Sequence, residues 1–253
     1  MVNLMKWPRL IYRIRYSLAA AAFATLVNQE SAQTPNSARP ALLNQEQIID
    51  RMQKHDQAQM ETLGGYQSVR HYSLEYRGFF KTLAAKMDAE ISYDASSGKS
   101  FRILSESGSH TLCEKVLRRA IDSEKEASLN RAQSALTEAN YRFHFVGTES
   151  VNGRSAYVLE VDPIMPSKFL YRGRIWVDAI DFAVAGMEVQ PGKNPSFWIS
   201  KTIIHHTNEE TDGFWLPHKN QSETKVRIGG TAVLTIDYGT YQTVPRVVIS
   251  QLR

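Results

Sequence analysis

Residues 171–189, YRGRIWVDAIDFAVAGMEV, decide the fold class of this chain. Two runs rich in β-branched and aromatic residues flank the acidic segment 178–181, which has the composition of a turn. Each run also holds one glycine, Gly173 or Gly186, where a strand can bend or another group can approach closely. The stretch predicts a β-hairpin. Because the neighbouring sequence continues the same pattern, we expect one large antiparallel sheet.

Similar runs lie on both sides of this hairpin, and from all of these runs we expect about ten or eleven strands. They lie at 66–76, 82–93, 100–105, 141–149 and 155–161 before it, and at 197–206, 214–223, 225–228 and 231–241 after it, with a last short run at 247–249. Asn152-Gly153 is the strongest hairpin signal among the connections. So many short strands indicate a barrel or a strongly curved sheet.

Two segments have a helical period instead. Asn44 is placed to cap a helix that Gly64-Gly65 would end. An apolar stripe within residues 110–139 predicts one or two helices inserted between strands. The apolar positions are Ile48, Ile49, Met52 and Met60 in the first helix, and Leu112, Val116, Leu117, Ala120 and Ile121 in the insertion.

The N-terminal residues predict export. Four basic residues precede the apolar run 17–27, which is too short to span a bilayer, and Ala22-Phe23-Ala24 offers a cleavage site. We therefore expect a signal peptide over residues 1–32, a polar linker over 33–43 and a single domain over 44–253, located in the periplasm. Cys113 is the single cysteine, so no internal disulfide is expected.

The net charge also belongs mostly to this leader. The whole chain has 30 basic and 26 acidic residues, a formal charge of +4. Residues 1–32 hold four of the basic residues and one acidic residue, which leaves 26 basic against 25 acidic residues in the remainder. Nucleic acid is therefore not an expected partner.

The sequence predicts neither a metal centre nor a catalytic site. The seven histidines form no helical i, i+4 pair and no short Cys/His cluster, and the adjacent His205 and His206 point to opposite faces of a strand. No G-x-S-x-G or H-E-x-x-H motif is present. We expect no metal, no cofactor and no enzyme activity, although a hydrolase whose site is dispersed along the sequence stays open.

Aromatic residues are frequent between positions 143 and 215, and they could line a ligand cavity or fill an ordinary core. Strand alternation places Ile175 and Val177 on one face of a strand and Trp176 on the other. Because both faces carry apolar residues, the sequence does not decide which face would line a cavity.

The order of the elements resembles the LolA-like superfamily of outer-membrane lipoprotein carriers and lipoprotein-sorting proteins. The resemblance covers about residues 44–245. Three segments carry it: Arg174-Ile-Trp-Val-Asp178 followed by Phe182-Ala-Val-Ala-Gly-Met-Glu188, then Asp212-Gly-Phe-Trp-Leu-Pro217, then Thr235-Ile-Asp-Tyr238. It implies a mainly β fold with helices, an unclosed antiparallel β-barrel that helices cover on its concave face.

The same resemblance implies a periplasmic carrier that holds the acyl chains of a lipid or lipoprotein in an apolar cavity between sheet and helices. Envelope proteins that deliver or receive the ligand would be further partners. An envelope regulatory module that binds a protein is the alternative, and a periplasmic hydrolase the third. The candidate ligand contacts are Phe101, Ile103, Leu117, Ile121, Phe143, Phe145, Phe169, Trp176, Val184, Met187, Phe197 and Ile199, with Arg102 as a contact to a helical lid.

Overall fold

The computed structural model describes residues 43–194, 196–197, 199–227 and 229–246. The chain divides into two units, residues 1–41 and 42–253, and every described residue belongs to the second. The predicted signal peptide, nearly all of the predicted linker and the predicted strand at 247–249 lie outside the described residues. No helix in the described part combines the length and apolar character that a membrane crossing requires.

Eleven antiparallel strands form one sheet in this unit. They are β1 Leu63–Arg77, β2 Thr82–Asp94, β3 Gly98–Gly108, β4 Tyr141–Val151, β5 Arg154–Pro163, β6 Tyr171–Asp178, β7 Val184–Pro191, β8 Ile199–Thr211, β9 Phe214–Val226, β10 Thr231–Tyr238 and β11 Gln242–Pro245. Their order is β3-β2-β1-β10-β9-β8-β7-β6-β5-β4, with β11 beside the start of β1. Strands β3 and β4 end this order without pairing with each other, so the predicted unclosed antiparallel barrel with helices is confirmed.

The separate strand predicted at 225–228 is wrong. Lys225 pairs with Thr231, and Val226 pairs with Ile199, so both residues continue β9. The chain then turns directly into β10, and Val226 N donates to the carbonyl oxygen of Gly230 at 3.0 Å across this turn. The glycine turn therefore follows one long strand instead of joining two short ones.

Helix α1, Gln45–Thr62, begins as predicted. The Asn44 side chain accepts a hydrogen bond from Gln47 N at 2.8 Å, and the Gln47 side chain accepts one from Asn44 N at 3.1 Å, which completes a capping box. The helix ends at Thr62, just before Gly64-Gly65 as predicted, but the glycines do not cap it, since both lie in β1. A Cβ on Gly65 would lie 2.6 Å from the carbonyl oxygen of Tyr93, so glycine here permits close approach to β2.

The predicted helical insertion is present. It consists of α2 His110–Leu112, a π turn at Cys113–Leu117, α3 Arg118–Leu129 and α4 Arg131–Ser134. The side chains of Cys113, Leu117 and Ile121 are buried against one apolar cluster of the sheet, which includes Met87 and Ala89 of β2. The face of the sheet that carries Met87 and Ala89 is called the covered face below, and the opposite face is called the outer face.

The apolar core on the covered face has two parts. The insertion packs over β1, β2 and β3, whereas α1 packs over β4 to β7 through Ile48, Ile49 and Met52. Strands β8 and β9 lie between these parts, and their covered face carries the polar side chains Thr202 and His206, paired across the strands with Thr224 and Asn220. The sheet therefore has a polar strip between two apolar areas.

Candidate ligand-binding site

A cavity of about 830 Å³ lies between α1 and residues 131–137 of the insertion, where β7 and β9 complete its wall. This volume is within the range of pockets that hold small ligands. Its apolar surface comes from Met52, Leu63, Leu136, Val184 and Trp215, together with Met60 and Phe182. The cavity is therefore enclosed by both helical segments and by the sheet, and much of its lining is apolar.

One part of this cavity is polar. His55, Asp56 and Arg131 line it, and burial raises the pKa of the Asp56 carboxyl, against the opposing charges of Arg131 and His55. Within the described chain, Gln53 Nε2 and His55 Nε2 are buried and have no hydrogen-bond partner. Buried polar atoms usually have a partner, so this region suits a ligand that carries polar groups.

Three charged side chains, one fully buried and two partly buried, connect the insertion to the sheet. Arg70 of β1 is fully buried, and its Nη1 donates to Glu124 Oε2 of α3. Lys99 Nζ of β3 donates to Glu124 Oε1 at 2.8 Å. The Arg70 guanidinium also lies 4.4 Å from the ring centroid of Tyr238, a favourable cation–π distance. One carboxylate on the insertion is thus held by two cations on different strands.

The three groups keep their charges in the folded protein. Burial alone would raise the pKa of Glu124, but attraction to Lys99 and Arg70, with their hydrogen bonds, lowers this pKa to about 2. Burial opposes the charged forms of Arg70 and Lys99 as well, yet the pKa of each is raised, for Arg70 chiefly by Glu124 and for Lys99 by Tyr66 and Glu124. The insertion is therefore held by ionic contacts around neutral pH.

These ionic contacts should make the free energy of unfolding depend on pH in the acidic range. The folded pKa of Glu124, about 2, lies below its ordinary value of 4.5, so the carboxylate stabilises the fold above 4.5 and this contribution is lost as the pH falls toward 2. We expect the difference in unfolding free energy between the wild type and Glu124→Gln to shrink between neutral pH and about pH 3. Urea unfolding of both proteins at each pH measures it, and a constant difference would contradict this role of Glu124.

Eight of the predicted ligand contacts belong to the apolar core between the covered face and the helices, but in two separate groups. Phe101, Ile103, Leu117 and Ile121 pack in the cluster below the insertion. Phe143, Phe145, Val184 and Met187 pack in the cluster below α1. Among all twelve predicted residues, Val184 is the one that lines the cavity of about 830 Å³. Most of the predicted residues therefore pack in one of the two apolar cores, and they do not form one shared site.

The remaining four predicted contacts lie elsewhere. Phe169 is half-buried in the loop before β6, Phe197 is exposed in the loop before β8, and Ile199 begins β8. Trp176 lies on the outer face, where its Nε1 donates to Glu149 at 2.8 Å. These residues are not brought together between sheet and helices.

Trp176 belongs to a second cavity, of about 630 Å³, on the outer face of β4 to β8. Its walls carry many charged side chains that pair with one another. Arg174 lies 3.4 Å from Glu160, and Arg172 lies 3.7 Å from Asp162. Such a surface is already neutralised and polar, so it suits an acyl chain less well than the cavity beside α1.

The prediction of Arg102 as the lid contact is wrong. Arg102 lies on the outer face of β3 and pairs with Glu90 of β2 at 2.7 Å. Strand alternation explains the error, since Phe101 and Ile103 occupy the covered face and Arg102 must point the other way. Arg70 makes the contact instead. Arg70 belongs to a series of alternate β1 residues that also contains the buried Tyr66, Ser68, Tyr72 and Leu74. An arginine in such a series is the sequence signal that could have identified this contact.

No family model and no curated protein matches this chain. Solved structures do resemble it. A DUF1329 family protein from Desulfovibrio piger is 14% identical with a TM-score of 0.40, over 82% of this chain and 96% of that chain. A putative outer membrane lipoprotein-sorting protein domain from Vibrio parahaemolyticus is 12% identical with a TM-score of 0.39, over 83% and 95%. A LolA superfamily protein from Nitrosomonas europaea is 12% identical with a TM-score of 0.34, over 83% and 97%. At these identities and scores the likeness assigns this chain neither family, ligand nor partner.

Proposed function

We propose that this protein is a periplasmic carrier that binds a lipid or lipoprotein through an acyl chain. The cavity of about 830 Å³ between α1, residues 131–137 and the sheet is the observation that supports it most directly. Each CH₂ group that leaves water on entering such a site contributes about 0.8 kcal/mol. The polar groups His55, Asp56 and Arg131 would face the polar end of the ligand.

The insertion would control access in this proposal. It forms one wall of the cavity through residues 131–137, and Glu124 supplies its ionic contact with both β1 and β3. An ionic contact can separate and re-form without unfolding the apolar core, so Glu124 is suited to a segment that moves aside for a ligand. No chemical reaction is part of this role, and the proposed function requires no cofactor.

A narrowed cavity should bind acyl chains poorly. Ala135 lines the cavity, and we expect Ala135→Trp to weaken binding of a fluorescent fatty acid by at least about tenfold, because the indole occupies the volume of several CH₂ groups. Displacement titrations with the full chain measure this change, and mass spectrometry identifies any lipid that co-purifies.

The matched control is Ala84→Trp, at an exposed position of β2 that does not line the cavity. It should leave the affinity unchanged. Equal binding by both variants would place the fatty acid elsewhere, and absence of saturable binding by the wild type would refute the carrier proposal and favour the protein-binding alternative.

A further inference from the structure

Four loops at one end of the sheet carry five of the ten large apolar side chains that are exposed in the described part of the chain. Their described residues are 78–81 between β1 and β2, 164–170 between β5 and β6, 192–194 and 196–197 between β7 and β8, and 227 and 229–230 between β9 and β10. Phe80 is 100% exposed, Phe79 80%, Met165 77% and Phe197 73%. We call these four loops the basic rim, for the charges described next. The side chains of Phe79, Phe80, Met165 and Phe197 lie outside the core and are costly in water.

The charges of the basic rim have one sign. The loops contain Lys81, Lys168, Lys193 and Arg227, and their sequences contain no Asp or Glu. Lys168 pairs with Glu126 of α3 at 2.6 Å, whereas Lys81 and Lys193 have no ion pair with a described residue. The five loops at the opposite end of the sheet carry charges of the opposite sign. They lie at 95–97, 152–153, 179–183, 212–213 and 239–241, and they contain Asp181 and Asp212 but no Lys or Arg.

Contacts between neighbouring loops make the basic rim continuous. The ring of Phe79 lies against Gly229, whose backbone carbonyl also accepts a hydrogen bond from the Tyr76 hydroxyl at 2.8 Å. The Arg227 guanidinium lies 4.9 Å from the ring centroid of Phe197. Gly192 N donates to the carbonyl of Leu170 at 2.6 Å. Aromatic and cationic side chains are therefore held side by side along one edge.

We propose that the basic rim docks on the surface of a bilayer that contains anionic phospholipid. Aromatic rings favour the boundary between headgroups and acyl chains, and lysine and arginine beside them attract anionic headgroups. A protein partner would need a preformed pocket for each projecting ring, whereas a bilayer deforms around separate loop tips such as Phe80. The rim residues Phe79, Phe80, Lys81, Phe197 and Arg227 do not line the cavity of the proposed carrier site, so this docking role does not depend on it.

A probe at the rim tests the proposal in the full chain. The buried Cys113 is replaced by alanine, and an environment-sensitive dye is attached to Thr82→Cys beside the rim, or to Ile180→Cys at the opposite end. Vesicles of phosphatidylglycerol and phosphatidylcholine should shift the emission of the dye at position 82 to the blue and leave that at position 180 unchanged. Because the dye reports its own surroundings, insertion of another part of the chain does not produce this pattern.

Single substitutions then separate the apolar and ionic parts. In the protein labelled at position 82, Phe80→Ser should raise the vesicle concentration for half-maximal shift by about tenfold, and Lys81→Glu by at least about fivefold. Lys86→Glu, at an exposed position of β2 away from the rim, should have little effect. Phe80 is fully exposed, so its removal is not expected to affect folding.

Three results would overturn the proposal. The first is the same shift at positions 82 and 180. The second is equal binding to vesicles of phosphatidylcholine alone, which would remove the role of the charges. The third is the absence of any vesicle-dependent shift together with self-association, seen in light scattering, that Lys81→Glu abolishes. In that case the basic rim would bind the acidic loops of a second copy of the chain.

Discussion

Replacing Glu124 with glutamine should lower the unfolding free energy by about 3–5 kcal/mol, the largest effect that we expect from a single polar substitution in this protein. The carboxylate accepts hydrogen bonds from the fully buried Arg70 and from Lys99. Without it, two cations remain close together in a site that water reaches poorly. Urea denaturation at neutral pH, followed by circular dichroism, measures this loss.

Glu126→Gln is the matched control on the same helix. Glu126 pairs with Lys168 at 2.6 Å, but both side chains are about half exposed. An exposed pair of this kind contributes about 0–1 kcal/mol, so this variant should unfold close to the wild type. Similar losses from both substitutions would mean that the buried pair adds nothing beyond a surface ion pair, and the account of how the insertion is held would be wrong.

Replacing Asp178 with alanine should cost about 3 kcal/mol. Asp178 ends β6, is fully buried and accepts hydrogen bonds from Ile180 N and Asp181 N, both at 2.9 Å. Arg154 Nε also donates to it at 2.5 Å. Burial would raise the pKa of Asp178, but the bonds from Arg154 and the turn lower it, so the residue stays ionised. Alanine would leave the two amide groups of the β6–β7 turn without their acceptor.

Asp181→Ala provides the comparison within the same turn. Asp181 is partly exposed and receives one bond from Arg154 at 2.7 Å and one from Trp215 Nε1 at 3.2 Å. Its loss should cost about 1 kcal/mol or less. Thermal unfolding of both variants ranks them, and a larger loss for Asp181 would show that the ionic contacts, and not the turn amides, fix this hairpin.

The strands were predictable because the signals that specify them lie in short stretches of neighbouring residues. The turn at 178–181 joins β6 to β7 as expected, and Asn152 and Gly153 adopt the positive φ angles, 51° and 80°, that an Asn-Gly hairpin requires. The Asn44 capping box likewise involves only residues three apart. A local signal can also have a second meaning, as at Gly64-Gly65, where the helix ends just before the glycines but their role is close approach between strands and not a helix cap.

The candidate site was much less predictable. The sequence indicated apolar and aromatic residues on strands, whereas much of the cavity lining comes from α1 and residues 131–137. Their proximity depends on how two segments about 80 positions apart lie on one sheet, which neither period nor composition encodes. Arg70 and Glu124 are 54 positions apart, so their pairing has no local signature either. Arginine within an apolar alternation could have marked Arg70, but not its partner.

The π turn at Cys113–Leu117 sets the rotational phase of the helix that follows it. Each residue of an α-helix advances the side chains by about 100°, and a π turn accommodates one residue more than the regular winding would. If the same residues wound as a regular α-helix from position 110 onward, every later side chain would be turned by about 100°, and Glu124 would face away from Arg70. The π turn, as well as the chemistry of the residues, thus determines whether the insertion is fastened to the sheet.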